Sequence, residues 1–259
     1  MQILRLISAE CKKVKHTPLL WMHIVIPLIG ITAFLFDFTL SHSSSVSQTG
    51  GYLQVLAMVF PLLIGVICAM CIDEESQAGN FQVLFTSSNP KVLAFLGKLI
   101  FVFFLGMGAV MIAAIGYHLG IMGIFHKNPF PLKFYIIASC ILIGSNLFEY
   151  VFHLFLSMRF GKSASIGMGI AEMLISAILN TDLGDKIWVV IPCTWGMRFV
   201  TTWTNFASKS ALAAQRNMMA SQTSAELHAG IVICIAATAA CIIFACIWFS
   251  LWEGRRSED

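Results

Sequence analysis

The chain has 259 residues, 58% of them hydrophobic and 11% charged, with a mean hydropathy of +0.83. Soluble domains carry about a quarter charged residues and bury only about three quarters of their chain area. This composition therefore excludes a water-soluble domain and calls for lipid as the solvent. The net charge of +3 is small and scattered, which excludes a nucleic-acid partner and leaves the cations to be read for topology.

The first segment, residues 2–16 (QILRLISAECKKVKH), predicts an amphipathic helix with Ile3, Leu6, Ile7 and Val14 near one face. Such a helix lies in the membrane interface, and with Pro18 as its breaker it forms a unit over 1–18. Its cations are wrong for the apolar core of a cleavable leader. A spanning helix needs roughly 20 mostly apolar residues. Runs of that kind fall at 19–40, 52–72, 93–118, 134–157, 166–182 and 230–252, giving six expected spans in one membrane domain over 1–259. The expected fold class is all-α, a polytopic integral membrane protein. Residues 41–51 (SHSSSVSQTGG) read as a polar turn, and 159–165 (RFGKSAS) as a tight basic loop. The connection 183–229 is long and carries Trp195, Phe199, Trp203 and Phe206 at helical spacing. Aromatics at this density suit the headgroup level.

Lysine and arginine set the orientation. With the N-terminus inside, ten lie on the cytoplasmic side and six outside, four of the six within the long 183–229 connection. Both termini are thus expected in the cytoplasm, with 73–98 cytoplasmic and 183–229 external.

Gly161-Lys162-Ser163 lacks the earlier glycine of a phosphate loop, since position 156 is Leu, and it follows a membrane helix instead of a strand. No ATP site is expected on this chain, and no cofactor. Glu149 and His153 stand four apart on one helical face with Asn146 and Tyr150, and Glu172 lies in the next span. Ionisable groups at membrane depth are costly. Asn146, Glu149, His153 and Glu172 either line a substrate path or form a polar cluster that ties helices together. A zinc protease motif needs two histidines four apart; with one, neither catalytic residues nor a metal site is expected. Cys68 and Cys71 form a CxxC inside an apolar helix and read as small packing residues. Gly116 and Gly120 form a GxxxG, which permits close helix packing.

The most informative stretch is 73–98, polar at the front with Asp73, Glu74 and Glu75 and broken by Gly79 and Pro90. Phe81, Leu84 and Phe85 fall on one helical face. A segment of this kind between spans suits contact with another protein.

Together these features resemble the membrane subunit of ABC-2 type exporters. Leu6, Glu10, Lys13, Lys15, Thr17 and Pro18 resemble the elbow helix that precedes the first span there. Glu75, Gly79, Phe81, Leu84, Phe85, Pro90 and Lys98 are similar to the family's first cytoplasmic loop, with Phe85 where a second Leu is usual. The resemblance implies that 73–92 is a coupling helix docking on a separate ATPase, through Asp73, Glu74, Glu75, Gly79, Phe81, Leu84, Phe85 and Pro90. It also implies short external helices between spans five and six. Size, the serine-rich first external turn and the long last connection are most similar to lantibiotic immunity permeases. That likeness implies a bacterial cytoplasmic-membrane exporter of an amphipathic peptide. ATP and Mg would be held by two copies of a partner ATPase, and a second, different permease would complete the pore. The competing reading is an ATP-independent secondary transporter or channel with Glu149, His153 and Glu172 as a proton relay.

Overall fold

Long apolar runs have no backbone partner in lipid except their own carbonyls, so helices are the expected solution. The computed structural model describes residues 2–15, 17–77, 81, 90–185, 187–208 and 213–253. Among these it contains α1 (Gln2–Val14), α2 (Pro18–Leu40), α3 (Ser45–Gln77), α4 (Lys91–Phe125), α5 (Leu132–Ser145), α6 (Leu147–Phe160), α7 (Lys162–Ile178), α8 (Trp195–Ala207) and α9 (Ala213–Leu251). Three 3₁₀ turns, Asp182–Gly184, Trp188–Val190 and Pro192–Thr194, join α7 to α8.

Helix ends follow the punctuation in the sequence. Pro18 opens α2 at its first turn, where its missing N–H costs nothing. Pro90 and Pro131 stand immediately before α4 and α5. The polar 41–51 stretch turns only at its start: α3 begins at Ser45 and runs on through Asp73, Glu74 and Glu75 to Gln77. The expected basic loop at 159–165 shrinks to Gly161, with φ 93° and ψ 178°. A side chain is strained at that φ, so glycine lets the chain reverse between α6 and α7 in a single residue.

Among the described residues, four helices are long and apolar enough to cross a membrane: Pro18–Leu40, Ser45–Gln77, Lys91–Phe125 and Ala225–Leu251. Leu132–Ser145 and Leu147–Phe160 make a fifth when counted as one span bent by 41°. The bend sits at Asn146, where the polar side chain takes the Leu142 carbonyl at 2.7 Å in competition with the backbone ladder. The fifth expected span, 166–182, is α7, which begins and ends four residues earlier than foreseen. At 17 residues, α7 is about 25 Å long against a hydrocarbon core of about 30 Å.

Helix α3 is the hub. It packs along α7 and against α6 and α8, while α4 joins α2, α1 and α5. The closest approach is glycine-lined: a Cβ on Gly65 would meet the Ser165 carbonyl at 2.9 Å, and one on Gly169 would meet Leu62 Cα at 3.0 Å. The aromatic stripe of α8 faces largely inward. Trp195 is fully buried and donates to the Val189 carbonyl at 2.9 Å, and Trp203 donates to that of Phe134 at 3.2 Å. Phe206 alone of the four is well exposed.

Candidate functional site

Two buried polar clusters occupy this apolar bundle, one where α1 meets the ends of α3 and α4, the other around the bend.

The first holds four charges of alternating sign. Lys98 Nζ donates to Glu10 Oε2 at 2.7 Å and to Glu75 Oε1 at 3.0 Å, with Cys71 Sγ at 3.7 Å. Lys13 Nζ donates to Glu10 Oε1 at 2.9 Å and to Glu75 Oε1 at 2.5 Å. Two lysines balance two glutamates, so the group carries no net charge. Lys98 is 1% exposed; a lone ammonium there would be prohibitive, and the two carboxylates offset its lost hydration. Burial pulls the Lys13 ammonium down, but its hydrogen bonds to Glu75 and Glu10 outweigh that and hold it above the usual lysine range. The cluster borders a cavity of about 340 Å3 that Glu74 and Thr17 also line.

The residues expected to contact an ATPase therefore divide. Glu75 is turned inward into the ion cluster. Phe81 is also inward, 1% exposed with its ring 5.0 Å from that of Trp252. Its φ of 66° is unusual for an aromatic residue. Glu74 is half-buried, and Asp73 pairs with Lys162 at 3.1 Å near the surface. Pro90 is exposed ahead of α4. Gly79, Leu84 and Phe85 lie outside the described residues. Sequence reading flagged Glu10, Lys13 and Lys98 only as parts of a pattern. The signal that could have paired them is a solitary acid in a basic helix and a lysine inside an apolar run.

The second cluster brings together three of the residues singled out by spacing. His153 Nε2 lies 2.8 Å from Glu172 Oε2 and 4.0 Å from Glu149 Oε2. His153 Nδ1 is 2.9 Å from Ser165 Oγ, which in turn donates to the Gly65 carbonyl at 2.9 Å. Asn146 is buried two residues from α6's Phe148 and serves the bend, with Ser145 Oγ at 3.5 Å from its amide. Ser165 and Gly65 were not foreseen. All three ionisable side chains are more than nine-tenths buried. Their carboxylate and imidazole donor atoms lie within 4.8 Å of one another, close enough to share a metal ion.

A further, apolar cavity of about 140 Å3 lies between α2, α3 and α4, bordered by Pro27, Phe34, Tyr52, Phe60 and Gly106. A cavity of about 150 Å3 holds a benzene-sized group, so this one admits a side chain and not a peptide.

The family model for ABC-2 family transporter proteins matches residues 6–178. The chain belongs to the ABC-2 transporter family. A search of curated proteins finds no match. ABC-2 chains are the membrane component of their transporters and typically pair with an ABC ATPase subunit. The matched stretch contains both polar clusters, from Glu10 to Glu172, and ends with α7.

Proposed function

We propose that this chain is the permease of an ABC exporter that lifts an amphipathic, lantibiotic-like peptide out of a bacterial cytoplasmic membrane, conferring immunity on its producer. ATP and Mg2+ are bound and ATP hydrolysed on a partner ATPase, in two copies. A second permease, a different homologous chain, completes the transmembrane unit. Both termini face the cytoplasm, as the lysine and arginine bias favours. The fifth span, 166–182, is α7 with the residues that follow it, and α8 lies on the outer side within the connection 183–229.

The observation that carries this reading is the ion cluster of Glu10, Lys13, Glu75 and Lys98. It fastens the elbow helix α1 to the two helix ends that flank residues 78–90. A push delivered there by a closing ATPase reaches α1, α3 and α4 together, because parting a buried ion pair is costly. Helix α3 then passes the movement to α6 and α7, which it contacts along their lengths. The lever and the path belong to this chain; the energy comes from the partner.

The test is coexpression with a candidate partner ABC ATPase. Glu74→Lys, on the half-buried face, is expected to cut ATPase copurification and peptide resistance while leaving membrane insertion intact. If both persist at the wild-type level, residues 73–90 are not the docking segment.

A further inference from the structure

We infer that Glu149, His153 and Glu172 form a binding site for one divalent transition-metal ion, zinc by its donor set, buried where α6 and α7 meet.

The first argument is the state of the imidazole. Ser165 uses its hydroxyl proton on the Gly65 carbonyl, so it can only accept from His153. That assigns the ring proton to Nδ1 and points the Nε2 lone pair of the neutral ring at both carboxylates. Metal-binding histidines are held in this way, with the far nitrogen donating to an outer partner that fixes tautomer and ring orientation.

The second argument is Glu149. It is 1% exposed, and neither of its oxygens receives a hydrogen bond from a described donor. Its Oε2 nevertheless points at the same spot as the other two donors. A buried carboxyl aimed at a second carboxyl needs a shared proton or a cation between them. Among the described residues His153 is the only ion-pair partner of either glutamate, and one imidazolium offsets one carboxylate. A doubly charged cation offsets both and leaves the ring neutral.

Distances support the size of the ion. Zinc bonds to N and O of about 2.0–2.2 Å place tetrahedral donors about 3.4 Å apart. The observed separations of 2.8 and 4.0 Å straddle that value, and the two carboxylates lie within 4.8 Å of each other, so side-chain shifts of about 1 Å complete the geometry. One imidazole and two carboxylates suit zinc among the first-row ions. Three protein donors leave a fourth position for water. The sequence concealed the site because Glu149 and His153 supply only half of a motif; Glu172 arrives from the next helix.

The experiment uses the full chain purified in lipid nanodiscs, incubated with Zn2+ or Co2+, desalted and analysed for metal. One ion per chain is expected, with a visible d–d absorption band for the cobalt form and a higher Tm with Zn2+. Glu149→Gln keeps the shape of the protonated side chain and is expected to abolish both metal retention and the zinc-induced Tm increase. Ser165→Ala should weaken binding about tenfold or more through the imidazole. If folded wild-type protein keeps neither ion and its Tm ignores zinc, protons alone neutralise the carboxyls and the site is refuted. Metal retained by Glu149→Gln at wild-type affinity would refute it equally. Neither readout involves transport or an ATPase, so this result is separate from the permease assignment.

Discussion

Lys98 shows how a single charge can be retained inside an apolar bundle. It is almost inaccessible, yet it makes two carboxylate contacts, and those carboxylates are shared with Lys13. Removing one member of such a set strands the others. Lys98→Met is expected to cost about 3–5 kcal/mol, read as a fall in thermal stability of the purified protein. Lys162→Ala breaks the surface pair with Asp73 and should change stability by less than about 1 kcal/mol. An equal loss from both variants would mean that burial is not what gives the cluster its weight. The pH dependence has a definite sign. Lys13 is raised in the folded state, so its contribution is complete below the unfolded value of about 10.4 and fades as pH rises through the folded one. The cluster therefore stays intact throughout the physiological range.

Between helices, the small residues of α4 settle how closely its neighbours approach. Gly116 and Gly120 receive Ile31 and Leu35 of α2: a Cβ would meet their Cδ1 atoms at 2.6 and 2.5 Å. Ile31 and Leu35 are themselves four apart, so one ridge of α2 lies over one groove of α4. Gly106 receives the Tyr150 ring, whereas nothing lies within 4 Å of a Cβ on Gly108. Gly120→Val and Gly106→Ala should each lower Tm by several degrees, equivalent to about 1–3 kcal/mol of overpacking. Gly108→Ala should be neutral or slightly stabilising by helix propensity. Equal effects at Gly106 and Gly108 would contradict this packing. Gly161 acts through its backbone: Gly161→Ala at φ 93° should cost about 1–3 kcal/mol, visible as loss of thermal stability even though no contact is removed.

For the whole molecule the question is how motion at one end of the bundle reaches the other. Glu75 and Phe81 are enclosed in this chain, so altering them tests transmission and not docking. Glu75→Gln should leave ATPase copurification near wild type while lowering peptide resistance in cells producing matched amounts of protein. Glu74→Lys should show the opposite order, with assembly lost first. If Glu75→Gln abolishes copurification while the protein stays folded, Glu75 also shapes the docking surface itself.

Much of this architecture was legible before any coordinates. A hydropathy of +0.83 dictates helices in lipid, because no other open structure satisfies backbone groups there. Pro18, Pro90 and Pro131 fix helix starts through the missing N–H and the steric demand on the preceding residue. Glu149 and His153 share a face because 3.6 residues make a turn. Partnership was legible only in part: a cluster of Asn146, Glu149, His153 and Glu172 was expected from their place in neighbouring spans, but contacts between distant elements depend on which helices touch. Glu172 reaches His153 only because Gly161 reverses the chain in one residue and Gly65 and Gly169 let α3 and α7 come together. Lys98 meets Glu10 across 88 positions of sequence, which no local pattern encodes. The aromatic stripe of α8 fitted an interfacial reading by composition, but carbonyls at Val189 and Phe134 drew its indoles inward. Local periodicity thus determined the helices and their charged members by themselves; which charges meet, and which acid is left without a donor, was decided by packing.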